Sequence, residues 1–278
     1  MAWLLARCPP WPCARTYPLS QFLPVGLAMI RLEVNPNTSE SRPRREFIAA
    51  DPDLLGMGER RFAIIGHRAV NDGTLPLNDL AGAGGRMDVL VRAINTALFL
   101  SHGIRGDSDI TLHLMGGPGP PRRIWFEGSR LEGVHADERA IAGQIAKVLR
   151  EPTPPIGRLE EVWTGLWHSG GDISTTIAEW RREEVTLVRL DADAPPLWVD
   201  GDSSPGGDEM GTKFGFFLSD DRSFTTEEID VMDAVMPVRS LGAQWIQGHS
   251  AIAVVHHLLD NGLPLDLGER ASSGEPAR

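Results

Sequence analysis

The sequence predicts an α/β fold, a mainly parallel sheet flanked by helices. Short apolar runs of strand length recur between longer stretches whose apolar residues repeat at helical spacing. From about residue 61 to residue 260 the two kinds of segment alternate, the order that builds parallel sheets. No internal repeat is visible.

The first strand is "FAIIGH" at 62–67. Residues 86–101 are apolar on most of their circumference, with Asp88, Arg92 and Asn95 as a narrow polar stripe. That pattern describes a largely buried helix, and Asp88 with Arg92 makes a favourable i,i+4 pair. "DITLHLMG" (109–116) alternates as a strand, "GGPGPP" turns the chain, and "RIWFEG" (123–128) is a second strand. Residues 136–150 form an amphipathic helix with acids in its first turn and Lys147 and Arg150 in its last. The proline-rich stretch 151–157 is a joint, and weak helical and strand signals follow through 190. Residues 191–211 read as a loop holding Leu197 and Trp198, and 213–218 as a strand. The capping box Thr225-Thr226-Glu227-Glu228 opens the next helix. A short strand at 237–241 and a helix from about 249 to 260 complete the domain, expected over 58–263 with a disordered tail at 264–278.

Residues 1–57 have no sustained period and are punctuated by prolines. Two readings stay open, a disordered tail and an over-extended start with initiation at Met29 or Met57. A signal peptide fits poorly, because no basic stretch precedes the apolar part and Cys8-Pro9-Pro10 breaks it.

The composition, 41% hydrophobic and 23% charged, is that of an ordinary globular chain. No apolar run approaches the roughly 20 residues of a membrane helix. Cys8 and Cys13, the only cysteines, have no histidine nearby and make neither a disulfide framework nor a zinc site. A reducing cytoplasmic setting is expected. The net charge of −11 argues at first against nucleic acid. Its distribution is uneven: residues 59–160 carry 13 basic and 12 acidic groups, residues 161–278 carry 8 and 21. Nearly all the cations are Arg, which suits bidentate phosphate contacts, although a GC-rich genome gives the same bias.

"LPLNDLAGAGGRMD" (75–88) feeds glycines into a helix, as phosphate cradles do. The context excludes that role: fifteen residues separate strand 62–66 from Gly82, and no G-K-[ST] follows. The glycines instead permit a tight turn beside packed backbone. The eight histidines show no metal-binding spacing, and no G-x-S-x-G occurs. His256 reads as a satisfied core histidine, and Asp220-Asp221 as an acidic turn before a helix.

The run from Gly66 to Arg105 joins GH at 66–67, LNDL at 77–80, GR at 85–86, DVL at 88–90 and FLSHGIR at 99–105. This run resembles the archaeal tRNA (pseudouridine-54-N1)-methyltransferase family of the SPOUT superfamily. The likeness continues through 117–131, 137–149, 240–242 and 252–260. It implies a SPOUT-type sheet with a C-terminal deep trefoil knot, a rare exception to unknotted topology. It also implies a homodimer and S-adenosyl-L-methionine as cofactor, with tRNA or another structured RNA as partner, and neither membrane nor metal. The cofactor loops map onto Leu197, onto Leu218 and Ser219, and onto Leu241, Gly242, Ala243, Gln244, Trp245 and Ile246, with Ala251 beyond them.

Methyl transfer from a sulfonium is an in-line displacement that needs the acceptor nitrogen aimed at the methyl carbon. The proton on pseudouridine N1 must also leave, so a carboxylate base is expected. Asp79 is the candidate, with Asn78 orienting the base; capping of the glycine turn is the competing role for Asp79. Arg86 is expected to act at the site, and Arg68, Arg86 and Arg92 are expected to meet RNA. The chain departs from the family pattern in two places. Ser219 replaces a glycine after Leu218, and the family's cysteine falls on Ala251. Two alternatives therefore remain: a SPOUT methyltransferase acting on another RNA, and a knotted cofactor-binding dimer without catalysis.

Overall fold

The computed structural model describes residues 59–71, 73–198 and 213–267. The expectations for residues 1–57, for loop positions 199–211 and for the tail from 268 lie outside the described residues.

The elements follow in order: β1 (Arg60–Val70), α1 (Met87–Leu98), β2 (Phe99–Leu100), β3 (Gly103–Ile104), β4 (Ser108–Gly116), β5 (Arg122–Glu127) and α2 (Glu138–Arg150). Then come β6 (Glu160–Trp163), β7 (Leu166–Gly170), α3 (Ile173–Arg182), β8 (Thr186–Leu190), β9 (Phe214–Ser219), α4 (Thr226–Asp233), β10 (Val238–Arg239) and α5 (Gly248–Asp260). One sheet runs β10-β8-β9-β1-β4-β5-β7-β6. Its five strands from β10 to β4 are parallel, and β5, β7 and β6 extend it in antiparallel fashion. The mainly parallel sheet is as expected, and the antiparallel wing is an addition.

The parallel strands read as unbroken apolar runs because both their faces are covered. Phe62 and Ile64 of β1 pack on the side of α1, α2 and α5, where Leu90, Ile94, Ile145 and Val255 are buried. Ala63 and Ile65 point the other way, into a second core with Ile177 and Trp180 of α3 and Met232 of α4. Three helices gain their starts from side chains: Asp137 accepts from Ala140 N, Asp172 from Ser174 N, and Thr225 with Glu228 forms the expected capping box.

At the N-terminal ends of the strands, the buried Arg60 is paired with Asp107 and Asp260, each at 2.7 Å. Its guanidinium also lies 3.2 Å from His256 Nδ1, while His256 Nε2 lies 3.2 Å from the Ala97 carbonyl. That fixes the tautomer: Nε2 donates to Ala97 and Nδ1 accepts from Arg60. Burial, reinforced by Arg105 and Arg60, pushes the imidazole down to about 3. His256 is the satisfied core histidine that its sequence position suggests.

The weak signals of 158–190 resolve into β6, β7, α3 and β8. The chain stays engaged past 263, since Leu265 bridges Trp198 and Asp266 N donates to Leu197 O at 2.7 Å.

Candidate active site

In an open parallel sheet the crevice for a ligand lies beyond the carboxyl ends of the strands, where the strand order reverses. Here β9 connects through α4 to β10, which lies beyond β8. At that place a cavity of about 380 Å³ opens, within the range of about 300–1,000 Å³ for small-molecule sites. Its walls come from Leu190–Ala192 after β8, Leu218–Phe224 after β9, and the segment from Leu241 to the start of α5.

Eight of the expected cofactor residues line it: Leu218, Ser219, Leu241, Gly242, Gln244, Trp245, Ile246 and Ala251. Leu197 does not; it is fully buried, and its backbone N–H donates to Ser240 O at 2.8 Å, fixing the turn that carries Leu241. Ala243 sits in the rim loop but outside the lining. Trp245 is 67% exposed at the mouth.

The residues expected to do chemistry separate. Asp79 is exposed and accepts from Gly82 N at 2.9 Å and Ala83 N at 2.8 Å. These two N–H groups, Ala83 first, hold its carboxyl below the usual range. The capping role is the one its geometry serves. Asn78 accepts from Arg139 of α2 at 2.6 Å. Neither residue lines the cavity. Arg92 pairs with Asp88 inside α1, as its i,i+4 spacing predicts.

Arg86 and Arg68 do reach the site. Both donate to Asp221, which lines the cavity; Arg86 does so at 3.1 Å while also gripping Asp88 at 2.9 and 3.1 Å. The loop explains how Arg86 gets there. Gly85 and Arg86 have φ of 67° and 68°, and a Cβ on Gly85 would lie 1.8 Å from the Arg68 carbonyl oxygen. The glycine turn therefore lies flush on β1 and delivers Arg86 beside Arg68.

His67 was absent from the expected site. The β1–β9 pairing ends at Ile65 and Ser219, and the β1–β4 register breaks between Gly66 and Val70. Released from the ladder, His67 donates its backbone N–H to Asp220 Oδ2 at 2.9 Å, its Nδ1 lies 2.9 Å from Asp220 Oδ1, and its Nε2 lies 3.1 Å from Glu228. These bonds, Asp220 first and then Glu228, raise the imidazole to about 9. Partial burial opposes ionisation of Glu228, yet His67 and Thr225 hold it below its ordinary value. The signals were present as the GH of 66–67 and the double acid at 220–221. Only the fold places them 153 residues apart yet in contact.

The walls suit a cationic, partly aromatic ligand. Leu218, Leu241, Phe224, Ile229, Ile246 and Ala251 are apolar, whereas Asp191, Asp220 and Asp221 are acidic. Among the described residues, no group of three or more His, Cys, Asp or Glu converges as a metal site requires, and no helix is long and apolar enough to cross a membrane.

A family model described as "Putative SAM-dependent RNA methyltransferase" matches residues 59–262. The tRNA (pseudouridine(54)-N(1))-methyltransferase of Methanospirillum hungatei is 36% identical over 199 residues, covering 72% of this chain and 95% of that protein. The protein of the same name from Haloarcula marismortui is 36% identical over 203 residues, covering 72% and 96%. Among solved structures, Archaeoglobus fulgidus Nep1 bound to S-adenosylhomocysteine aligns with a TM-score of 0.49 at 11% identity, over 74% of this chain and 99% of that one.

Proposed function

We propose a function from one premise: this chain belongs to the family of S-adenosylmethionine-dependent RNA methyltransferases. It methylates N1 of pseudouridine in tRNA, as the names of its relatives say of them. The observation that carries the reading is the cavity at the strand ends, built from the three loops expected to hold the cofactor. A trefoil threading is consistent with the strip 195–198, which bonds to Ser240 on one side and to 265–266 on the other. Exposed Trp245, Ile246 and Leu263 supply apolar surface for a homodimer. A tRNA substrate implies work in the cytoplasm.

The apolar walls at Leu218, Leu241 and Ile246 would hold the adenine of the cofactor, and the acidic side at Asp191 would face its cationic part. When bound, S-adenosylmethionine supplies an electrophilic methyl carbon. The chain must aim N1 at that carbon and take the N1 proton. Asp221 is the carboxylate placed for this, on the cavity wall and oriented by Arg68 and Arg86. With N1 held in line with that carbon, an Asp221 oxygen would take the N1 proton as N1 becomes methylated. Arg68 and Arg86, which are partly exposed, also present positive charge to the RNA backbone. Ala251, the position onto which the resemblance maps the family's cysteine, lines the cavity with a methyl group.

The test is methyl transfer from labelled S-adenosylmethionine to tRNA that carries pseudouridine, with an unmodified transcript as control. Wild-type protein should label only the former. A protein that binds the cofactor yet labels neither RNA would overturn the enzyme reading and leave the non-catalytic dimer.

A further inference from the structure

We propose that His67 is a positioning residue for the cofactor: its imidazolium clamps the wall at 219–224 to β1 and to α4. The proposal rests on the cofactor reading given above, and its geometry is independent of it. Backbone pairing between β1 and β9 stops at Ile65 and Ser219. From Asp220 onward the wall is tied to β1 by side chains, Asp220 to His67 and Asp221 to Arg68.

Two carboxylates converge on one imidazole, Asp220 at Nδ1 and Glu228 at Nε2. A neutral imidazole has a single N–H, so one carboxylate would face a lone pair; the protonated ring satisfies both. The carboxylates themselves organise the wall. Asp220, 1% exposed, also accepts from Arg222 N at 2.9 Å, and Glu228 accepts from Thr225 N at 2.8 Å within the capping box. One proton on His67 thus holds the cavity loop and the first turn of α4 in register. The other charged groups around it are Arg68 on its own strand, Arg86 at the start of α1, and Asp221 and Arg222 in the loop. His113 on β4 is close enough to Glu228 to sense its charge but is buried and neutral.

The clamp predicts a dependence of cofactor affinity on the state of His67. The experiment is calorimetric titration of the full chain with S-adenosylhomocysteine from pH 7 to pH 10, in wild type, His67→Gln and Glu228→Gln. The amino group of the ligand titrates in all three, so the readout is the difference between proteins. Wild-type affinity should fall about tenfold more than that of Glu228→Gln as pH passes about 9. In that variant the amide nitrogen can donate to Nε2 of a neutral ring, giving up the Thr225 N–H at that position, so the link to His67 survives deprotonation. His67→Gln should bind about tenfold more weakly at pH 7 and show no break of its own. Wild type and Glu228→Gln falling in parallel would overturn the proposal, even if His67→Gln fails to fold. So would a folded His67→Gln with wild-type affinity. Wild type that binds no ligand at any pH overturns the cofactor reading together with this one, whereas binding without the differential break overturns this one alone.

Discussion

Gly85→Ala is the most searching perturbation of the loop that delivers Arg86. Two separate terms add at this position. The backbone sits at φ 67°, and an L-residue there costs about 1–2 kcal/mol. The new Cβ would also lie 1.8 Å from the Arg68 carbonyl oxygen and 2.6 Å from its carbon. Because these are backbone atoms, the overlap can be relieved only by lifting the turn off β1, at about 1–3 kcal/mol. The total is about 2–5 kcal/mol, a large share of a typical stability of about 5–15 kcal/mol. Gly262→Ala is the matched control. Its φ is 60° with nothing within 4 Å of a Cβ. It closes a Schellman cap on α5, with Gly262 N on Leu259 O and Leu263 N on Leu258 O. That control should lose only the conformational term, about 1–2 kcal/mol. Urea denaturation at constant m-value measures both. Equal losses at the two positions would refute the argument that close approach dictates the glycine. Since the lifted turn carries Arg86 away from Asp221, methyl transfer by Gly85→Ala should fall even where the protein remains folded.

Four further outcomes follow from the structure. Asp221→Asn should reduce methyl transfer about 10²–10⁴-fold with S-adenosylhomocysteine affinity little changed, while Asp79→Asn, which keeps a capping oxygen, should retain activity. Arg60→Ala removes a buried partner of Asp107 and Asp260, both still within reach of Arg105, and should destabilise by about 1–3 kcal/mol in urea. Buried His113 and His256 are both held down at about 3, so their contribution is present above pH 6.5 and is lost as pH falls from 6.5 toward 3. His67 works in the opposite sense: its folded value near 9 exceeds 6.5, so its stabilisation is complete below pH 6.5 and is lost as pH rises through 9. Thermal melts across pH 4–10 should therefore decline at both ends, the alkaline limb vanishing in His67→Gln. Trp245→Ala should weaken binding of S-adenosylhomocysteine in calorimetric titration by about 1 kcal/mol, since the ring is mostly exposed at the cavity mouth.

The parallel half of the sheet was legible because burial on both faces writes continuous apolar runs such as "FAIIGH" and "KFGFFL". In the antiparallel wing β5 was legible as "RIWFEG", and β6 and β7 were not. β7 reads "LWHSG" and α3 carries four β-branched residues in its first five, so local preference was indistinct. Packing of Trp180 on Phe217 decides the helix instead, with ring centroids 5.2 Å apart. The loops that line the cavity were legible through family resemblance, and the roles within the first motif were not. "LNDLAGAGGR" sets Asp79 three residues before Gly82 and seven before Arg86, and spacing alone cannot say which side chain turns inward. The structure turns Asp79 onto its own loop and Arg86 toward Asp221. His67 escaped notice because its partners come from the other half of the chain.

That meeting of halves also resolves the charge. A chain of net −11 is a poor partner for a polyanion if its charge is taken as a whole. The site divides it. The cavity walls come from the acidic C-terminal half and place Asp191 and Asp221 in the lining, where on the proposed reading they would face the sulfonium. The partly exposed positive edge, Arg68 and Arg86, comes from the nearly neutral N-terminal half and stands at the lip. Asp221 is the joint between them, bound by both arginines while it faces the cavity. An incoming phosphate competes with Asp221 for those guanidiniums, and each arginine it takes frees the carboxylate to accept a proton. Neutralising the lip with Arg68→Gln and Arg86→Gln together should raise the KM for tRNA and flatten its salt dependence by about two counterions. Affinity for S-adenosylhomocysteine should move far less. If the salt slope stays at the wild-type value, RNA enters by another face and the division of charge has no role in recognition.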